Sequence, residues 1–284
     1  MKVLTENDAL RNLQLEELAI LVDIQKFCDE NDINWFLIGG TALGSARHRG
    51  FIPWDDDLDI GMLRPDYDKF LTLAKKGLPF NLRLDEAVST DGCAITFAKV
   101  CRKGTVYRTR STMVSGYDQG IFVDIFPYDA IVDSGAGRFF QIGNAWLCMY
   151  LLYALYAPEG EEPVRTLSER IKRFMKISLG KLLGGFFSPK MLMAQFERSI
   201  VSREIIPNYN YMTLSAPKGK GIPVTSILPY ASSEFEGFQF PVPSCLESYL
   251  RYEYGDWNKI PVESQRHTHM PLEIVFSDGE AWKR

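Results

Sequence analysis

Apolar residues near the start of the chain recur every three to five positions, with charged residues between them. This is the spacing of an amphipathic helix that buries one face, and it predicts a helix over residues 7–31 with Asp8 as its N-cap. The positions that would form the buried face are Leu10, Leu13, Leu18, Leu21, Ile24 and Phe27.

Residues 33–132 have a different pattern, in which short apolar runs are separated by glycine, proline and charged residues. Runs of this length bounded by turn residues are typical of strands. Pro65 suits the first turn of a helix, because a first-turn residue needs no N–H. We predict strands over 33–40, 58–62 and 120–131, a hairpin over 93–109 that turns at Lys103 and Gly104, and helices over 41–49 and 65–77.

From residue 137 to about 215 the chain has helical character, and its last part is rich in aromatic residues and prolines. Such a tail suits strands and ordered loops that wrap a core. The pattern therefore predicts an α+β protein with a strand-rich core over 1–136, a helical insertion over 137–215 and a C-terminal segment, 216–284, that completes the core.

Composition narrows the function classes. With 284 residues, of which 46% are hydrophobic, the chain can bury one large core, and its formal charge of −4 gives no general attraction to nucleic acid. We expect no nucleic-acid partner. The five cysteines form no CxxC pair, and the first residues lack the features of a signal peptide, so we expect a cytoplasmic protein.

The stretch "PWDDDLDIGM" places four carboxylates within five positions, beside apolar residues. On an extended backbone Asp55, Asp57 and Asp59 share one face, which is a hard-cation site suited to Mg²⁺ or Mn²⁺. A solvated acidic turn is the alternative. An EF-hand calcium loop is excluded, because Ile60 stands where that loop needs glycine and Asp66 where it needs glutamate.

Gly39 and Gly40 end the first predicted strand, directly before a predicted helix. Backbone N–H groups at a helix N-terminus can bind phosphate, while nearby strand acids hold a metal that bridges phosphate oxygens. Asp124 lies among apolar residues of a later strand, and an ionised carboxylate there needs a cation. The combination indicates phosphoryl-transfer chemistry, whereas the glycine pair alone would indicate only a tight turn.

Three basic residues are candidate phosphate ligands. Arg47 and His48 follow the glycine turn and could neutralise phosphate or form an ordinary surface cluster. Lys99 is a lone cation in an apolar strand, where it could bind phosphate or extend its ammonium group to solvent.

Residues 35–70, with "GIFVDIFPYDAI" and "YGDWNKIPVESQRHTHMP", resemble the LicD family of phosphocholine transferases, which is related to the fukutin group. The resemblance implies a nucleotidyltransferase-like mixed sheet flanked by helices, with the helical insertion outside it and 1–136 as the catalytic core. It also implies divalent-ion-dependent transfer of phosphocholine from CDP-choline to a hydroxyl of a cell-surface glycan or its lipid-linked precursor, with release of CMP.

Carried over by residue, the resemblance assigns phosphate contact to Gly39 and Gly40, and we include Thr41 beside them as substrate-binding. It assigns metal ligation to Asp57, Asp59 and Asp124, and it matches Asp55 to the first acid of the motif. His267 and His269 lie in the His-bearing tail segment of the family, where substrate binding and ordinary polar contacts both remain open. The cysteine arrangement that binds zinc in some fukutin relatives has no counterpart, so no structural zinc is expected.

Other readings of the function remain open. The donor could carry ribitol or glycerol phosphate, or the chain could be a non-catalytic nucleotide-binding module. Residues 164–190 are basic and amphipathic, which suits peripheral contact with the inner face of a membrane as well as a solvated cationic surface. Aromatic residues that could hold a choline group are Trp54, Tyr128, Tyr254 and Trp257.

Overall fold

The structure is a computed structural model that describes residues 4–156, 186–266 and 268–284, with six further positions between 171 and 182. Its helices are α1 (Glu6–Glu30), α2 (Gly39–His48), α3 (Arg64–Ala74), α4 (Arg110–Ser115), α5 (Gly135–Tyr156), α6 (Pro189–Glu197), α7 (Val224–Ile227) and α8 (Leu246–Tyr254). The strands are β1 (Phe36–Leu37), β2 (Asp59–Leu63), β3 (Leu82–Asp85), β4 (Ala98–Arg102), β5 (Val106–Arg108), β6 (Phe122–Ile131), β7 (Asn210–Met212), β8 (Ile222–Pro223), β9 (Ala231–Phe235), β10 (Phe238–Val242), β11 (Glu273–Val275) and β12 (Ala281–Lys283).

Helix α1 confirms the predicted amphipathic helix, but its cap differs from the prediction. The side chain of Thr5 accepts a hydrogen bond from the backbone N–H of Asp8, so Thr5 is the N-cap and Asp8 lies within the first turn. The expectation for Asp8 was wrong, because the helix already begins at Glu6 and Thr5 caps it by accepting from the N–H of Asp8. The helix packs on the main sheet through apolar residues that are fully buried.

The main sheet is mixed, as the α+β prediction requires. Its strand order is β1-β2-β6-β4-β3, and β7 joins the far end of β6 and pairs with β8. Strands β2 and β6 run parallel, while the other pairs are antiparallel. Strand β6 is therefore the central strand, with neighbours on both sides along its length.

The predicted hairpin about Lys103 and Gly104 was wrong. Both strands exist, but β4 pairs with β3 and β6, whereas β5 pairs with β11 in a separate sheet of order β12-β11-β5. The pairing is decided by distant partners, among them a strand from the last twelve residues, which local turn residues cannot reveal.

Strand β6 also carries a buried ion pair. Arg64 contacts Asp129 through two hydrogen bonds of 2.7 Å, and both side chains are buried. Paired in this way, Asp129 joins the start of α3 to the centre of the sheet, and its charge is already compensated.

The later parts of the chain are attached to this core. Helices α5 and α6 pack on the end of β6 through a small apolar cluster that includes Ile131, Cys148 and Phe196. Helix α8 packs against α2, and β10 packs against β1. Among the described residues, no helix has both the length and the apolar character needed to cross a bilayer.

Candidate active site

Three neighbouring strands place Asp59, Asp124 and Lys99 in one row. Asp59 in β2 lies opposite Asp124 in β6, and Asp124 lies opposite Lys99 in β4. Residues opposite each other in a sheet point to the same face, and neighbouring strands are about 4.8 Å apart. The row therefore gathers two carboxylates and one ammonium group on one face of the sheet.

Lys99 and Asp124 form a buried ion pair. The Nζ–Oδ1 distance is 2.6 Å, and the ammonium group also lies 3.5 Å from the centroid of the Phe122 ring. Burial raises the pKa of Asp124 to about 6, although Lys99 acts in the opposite direction. The alternative that Lys99 extends its ammonium group to solvent was wrong, because the side chain is buried and paired with Asp124.

The glycine turn lies against two of the carboxylates. Helix α2 begins at Gly39, which has a φ of +54°, and a Cβ on Gly39 would lie 3.1 Å from Oδ2 of Asp59. A Cβ on Gly40 would lie 2.6 Å from Oδ2 of Asp55. The first N–H groups of a helix have no intrahelical acceptor, so this turn can bind anionic oxygen atoms.

Further contacts hold the turn in place. The backbone N–H of Asp59 donates to Oγ1 of Thr41 at 2.9 Å, and the N–H of Gly39 donates to the Tyr249 hydroxyl at 2.8 Å. The Tyr249 and Tyr128 hydroxyl oxygens are 3.3 Å apart. Thr41 thus fixes the start of β2, and Tyr128, predicted as a choline contact, is instead buried within the core.

The loop before β2 adds carboxylates to the same region. Asp55 is partly buried, and burial, followed by the charges of Asp57 and Asp56, raises its pKa to about 8. Asp57 is exposed. In Asp59, which is partly buried, burial is again the largest cause of a pKa well above the ordinary value, with repulsion from Asp57 and Asp124 next. The site holds more negative charge than nearby cations compensate.

Asp56 is buried and held by two hydrogen bonds. It accepts hydrogen bonds from the Tyr107 hydroxyl at 3.1 Å and from the backbone N–H of His269 at 2.8 Å. Asp56 therefore ties the acidic loop to the C-terminal segment. His269 is brought to the edge of the site by its backbone, whereas His267 lies outside the described residues.

Glu17 of α1 is a fifth acid that the sequence reasoning missed. Its side chain is 0% exposed, and neither carboxyl oxygen has a hydrogen-bond partner within the described chain. Burial raises its pKa well above the ordinary value, and the charges of Asp57, Asp56, Asp55 and Asp124 add to the shift. The available signal is that Glu17 lies directly before Leu18 of the buried face, at a position where the helix packs on the sheet.

The basic residues after the turn lie at the edge of the site. Arg47 donates to the backbone carbonyl of Trp257 at 3.2 Å, and its Nε lies 3.4 Å from Nδ1 of His48. Burial lowers the pKa of both side chains, and the charge of Arg47 lowers that of His48 further. At Arg47 the charges of Tyr254 and Asp55 act against this lowering of the pKa, so its guanidinium group interacts with the acidic loop.

The donor set suits a hard divalent ion, although the side chains are not yet arranged around one. Within the described part of the chain, no three His, Cys, Asp or Glu side chains are grouped closely enough to hold a metal ion as they stand. Oxygen ligands are available from Asp57, Asp59 and Asp124, of which Asp124 is already paired with Lys99, and carboxylate oxygens are ligands of the kind that suit Mg²⁺ or Mn²⁺.

The fold is α+β, and its site places carboxylates of a mixed sheet against a helix that begins with two glycines. This arrangement is suited to binding phosphate groups. Residues 32–140 match the family model described as LicD/FKTN/FKRP, nucleotidyltransferase domain. The chain is also 28% identical over 281 residues to the lipopolysaccharide cholinephosphotransferase LicD of Haemophilus influenzae, covering 95% of this chain and 97% of that protein. Residues 32–140 therefore resemble the nucleotidyltransferase domain of the LicD family, and nearly the whole chain is similar to the Haemophilus influenzae protein.

Shorter similarities fall on two proteins of Rickettsia. An uncharacterized protein of Rickettsia prowazekii is 43% identical over 47 residues, which is 16% of this chain and 18% of that protein. An uncharacterized protein of Rickettsia typhi is 40% identical over 63 residues, which is 22% of this chain and 19% of that protein.

Proposed function

We propose that this chain transfers phosphocholine from CDP-choline to a hydroxyl of a cell-surface glycan or its lipid-linked precursor and releases CMP. One observation carries the proposal: Asp59 lies opposite Asp124 and directly against Gly39 of the turn. This arrangement occurs in a chain that is similar, over nearly its full length, to a lipopolysaccharide cholinephosphotransferase. The proposed fold is nucleotidyltransferase-like, in keeping with the description of the matching family model.

The turn would bind the donor's phosphates. The N–H of Gly39 already donates to Tyr249, so the N–H groups of Gly40 and Thr41 would donate to phosphate oxygens, and Arg47 would supply positive charge at the edge of the site. The Tyr254 hydroxyl lies 3.9 Å from the Cβ position of Gly39, so α8 would form one wall of the nucleotide site.

The carboxylates would hold a divalent ion. Asp57, Asp59 and Asp124 are the proposed ligands for Mg²⁺ or Mn²⁺, which when bound neutralises phosphate charge and orients the phosphoryl group. Lys99 holds Asp124 in place within this set through the 2.6 Å pair. Asp55 would add negative charge behind the ligands, against Gly40.

The transfer balances as a displacement at phosphorus. The acceptor oxygen forms a bond to the phosphorus that carries choline, and the bond from that phosphorus to the bridging oxygen breaks, so CMP leaves with the electron pair. The acceptor's proton passes to a carboxylate of the cluster and from there to solvent.

The location of the reaction is part of the proposal. A CDP donor and a lipid-linked glycan precursor would meet at the inner face of the membrane, so the proposed site of action is cytoplasmic and peripheral. Residues 164–190 were predicted to make the contact, and most of that segment lies outside the described residues.

CMP release from a panel of donors tests this function. The protein is incubated with Mg²⁺, a glycan acceptor extract and CDP-choline, CDP-ribitol or CDP-glycerol. We expect release from CDP-choline in the presence of acceptor. A tenfold preference for CDP-ribitol or CDP-glycerol would mean that the transferred group is a polyol phosphate and not phosphocholine. Nucleotide binding without CMP release from any donor would identify a non-catalytic module.

A further inference from the structure

A cavity of about 320 Å³ opens beside the carboxylate row, and the proposed reaction leaves it unassigned. Asp57 and Lys99 form the wall nearest the site. The remaining walls contain aromatic rings, hydroxyl groups and an amide, among them Tyr117, Phe122, Ser111 and Gln119.

The cavity and the glycine turn lie at opposite ends of the row. Gly39 follows β1, Asp59 is in β2, Asp124 in β6 and Lys99 in β4, which is the order of these strands in the sheet. Three strand spacings separate the two ends, or about 14 Å. A phosphoryl group held at the two acids would therefore have the turn on one side and the cavity on the other.

Gln119 contributes a side-chain amide to the lining of the cavity. The residue is only 7% exposed, so the amide is held at the wall. An amide both donates and accepts hydrogen bonds, so it can pair with the hydroxyl groups of a ligand.

The aromatic walls are fixed in position. The Tyr117 hydroxyl donates to Asp85 at 2.8 Å, and the Tyr107 hydroxyl donates to Asp56. With these hydroxyls occupied, both residues present ring surface to the cavity. Rings beside hydroxyl and amide groups match the alternating apolar and polar faces of a sugar.

We infer that this cavity binds the sugar ring whose hydroxyl attacks the phosphorus, an assignment that rests on the proposed function. In-line displacement places the attacking oxygen opposite the leaving group, and the cavity lies opposite the turn that would hold the nucleotide. A choline group would make no hydrogen bond to Gln119, whereas a sugar hydroxyl would.

Two variants test the assignment. Gln119→Leu removes the amide at nearly constant volume, and Ser111→Trp fills the cavity from a partly exposed position on α4. Gln239→Leu is the matched control, since Gln239 is exposed and lies in β10. The probes are methyl glycosides of glucose, galactose and N-acetylglucosamine, with binding followed by saturation-transfer NMR, and CDP-choline hydrolysis without acceptor.

The expected result is binding of at least one glycoside to the parent protein. That binding should weaken about tenfold in Gln119→Leu, which loses one hydrogen bond to the sugar, and at least as much in Ser111→Trp, whose side chain fills the cavity. It should persist in Gln239→Leu. Hydrolysis of CDP-choline should stay within about twofold of the parent. The assignment is overturned if no glycoside binds the parent protein or if both cavity variants bind glycosides as the parent does. It is also overturned if the cavity variants keep glycoside binding and lose CDP-choline hydrolysis. A parent protein that binds glycosides but turns over no CDP donor would refute the proposed function and leave the sugar site standing.

Discussion

Lys99 places its ammonium group 2.6 Å from the Asp124 carboxylate, at the point where three strands bring the site's acids together. Both residues are buried, so each charge depends on the other. This pair lets an ionised aspartate remain in the centre of the sheet without a bound ion.

The first prediction concerns that dependence. Lys99→Met and Asp124→Asn should each destabilise the metal-free protein, and the double variant should recover part of the loss. Removing one partner leaves a buried charge uncompensated, so a double-mutant cycle should give a coupling of about 1–3 kcal/mol by urea unfolding. Additive effects of the two changes would show that the pair contributes no mutual stabilisation.

A second prediction concerns pH. In the folded state the pKa of Asp55 is about 8 and that of Asp124 about 6, whereas unfolded aspartate titrates near 3.9. The folded protein therefore binds more protons than the unfolded chain over this window, and stability is lost as pH rises through it. Between pH 5 and pH 8.5 the metal-free unfolding free energy should fall by at least about 1.4 kcal/mol, the value of one pKa unit. Stability that stays level or rises across this range would contradict the carboxylate crowding.

The third prediction concerns Glu17. Because neither oxygen of its buried carboxyl has a partner in the described chain, Glu17→Leu should raise stability by about 1–3 kcal/mol at pH 8. Its neighbour Glu16 provides the control, since it accepts hydrogen bonds from Arg102 and Ser277. Glu16→Leu should destabilise instead. A large loss in Glu17→Leu would mean that this carboxyl has a stabilising partner in solution.

The fourth prediction concerns the glycine turn. A Cβ at Gly40 would meet the end of the Asp55 side chain at 2.6 Å, so Gly40→Ala should displace Asp55 and leave the backbone nearly unchanged. We expect CMP release to fall by about tenfold or more, with a melting temperature close to that of the parent. Gly143→Ala is the control, because a Cβ there meets no atom within 4 Å and alanine favours the helix. Equal CMP release by Gly40→Ala and Gly143→Ala would show that the glycine turn does not take part in the transfer reaction.

The core of the site could be predicted from local sequence. The strands with Asp59 and Asp124 are contiguous apolar runs with clear turn residues, and both formed in the expected place. The strand predicted over 33–40 is only Phe36–Leu37, and the helix predicted from residue 41 begins two residues earlier, at Gly39. The approach of the two strands that carry these acids follows from strand pairing, which puts Asp59 opposite Asp124.

Other parts required contacts between distant positions. The β5–β11 pairing joins residues separated by most of the chain, so the hairpin prediction failed. Tyr249 reaches Gly39 from α8, and Asp56 reaches His269 near the C-terminus. Glu17 lies on a helix whose apolar spacing was otherwise regular, and no periodic pattern distinguishes a buried acid that faces other acids from one that faces solvent.

CMP release in Asp59→Asn tests the central claim most directly. The substitution keeps the shape of Asp59 but removes one of the negative ligands and relieves repulsion from Asp57 and Asp124. Asp133→Asn is the control, because the Asp133 side chain is fully exposed on the surface.

Release of CMP from CDP-choline is measured with and without Mg²⁺ for the parent and both variants, alongside thermal unfolding. The account predicts Mg²⁺-dependent release in the parent and in Asp133→Asn. In Asp59→Asn it predicts a loss of about a thousandfold or more, with folding intact or slightly more stable. Turnover near that of the parent in a folded Asp59→Asn protein would contradict the assignment of this carboxylate row as the transfer centre.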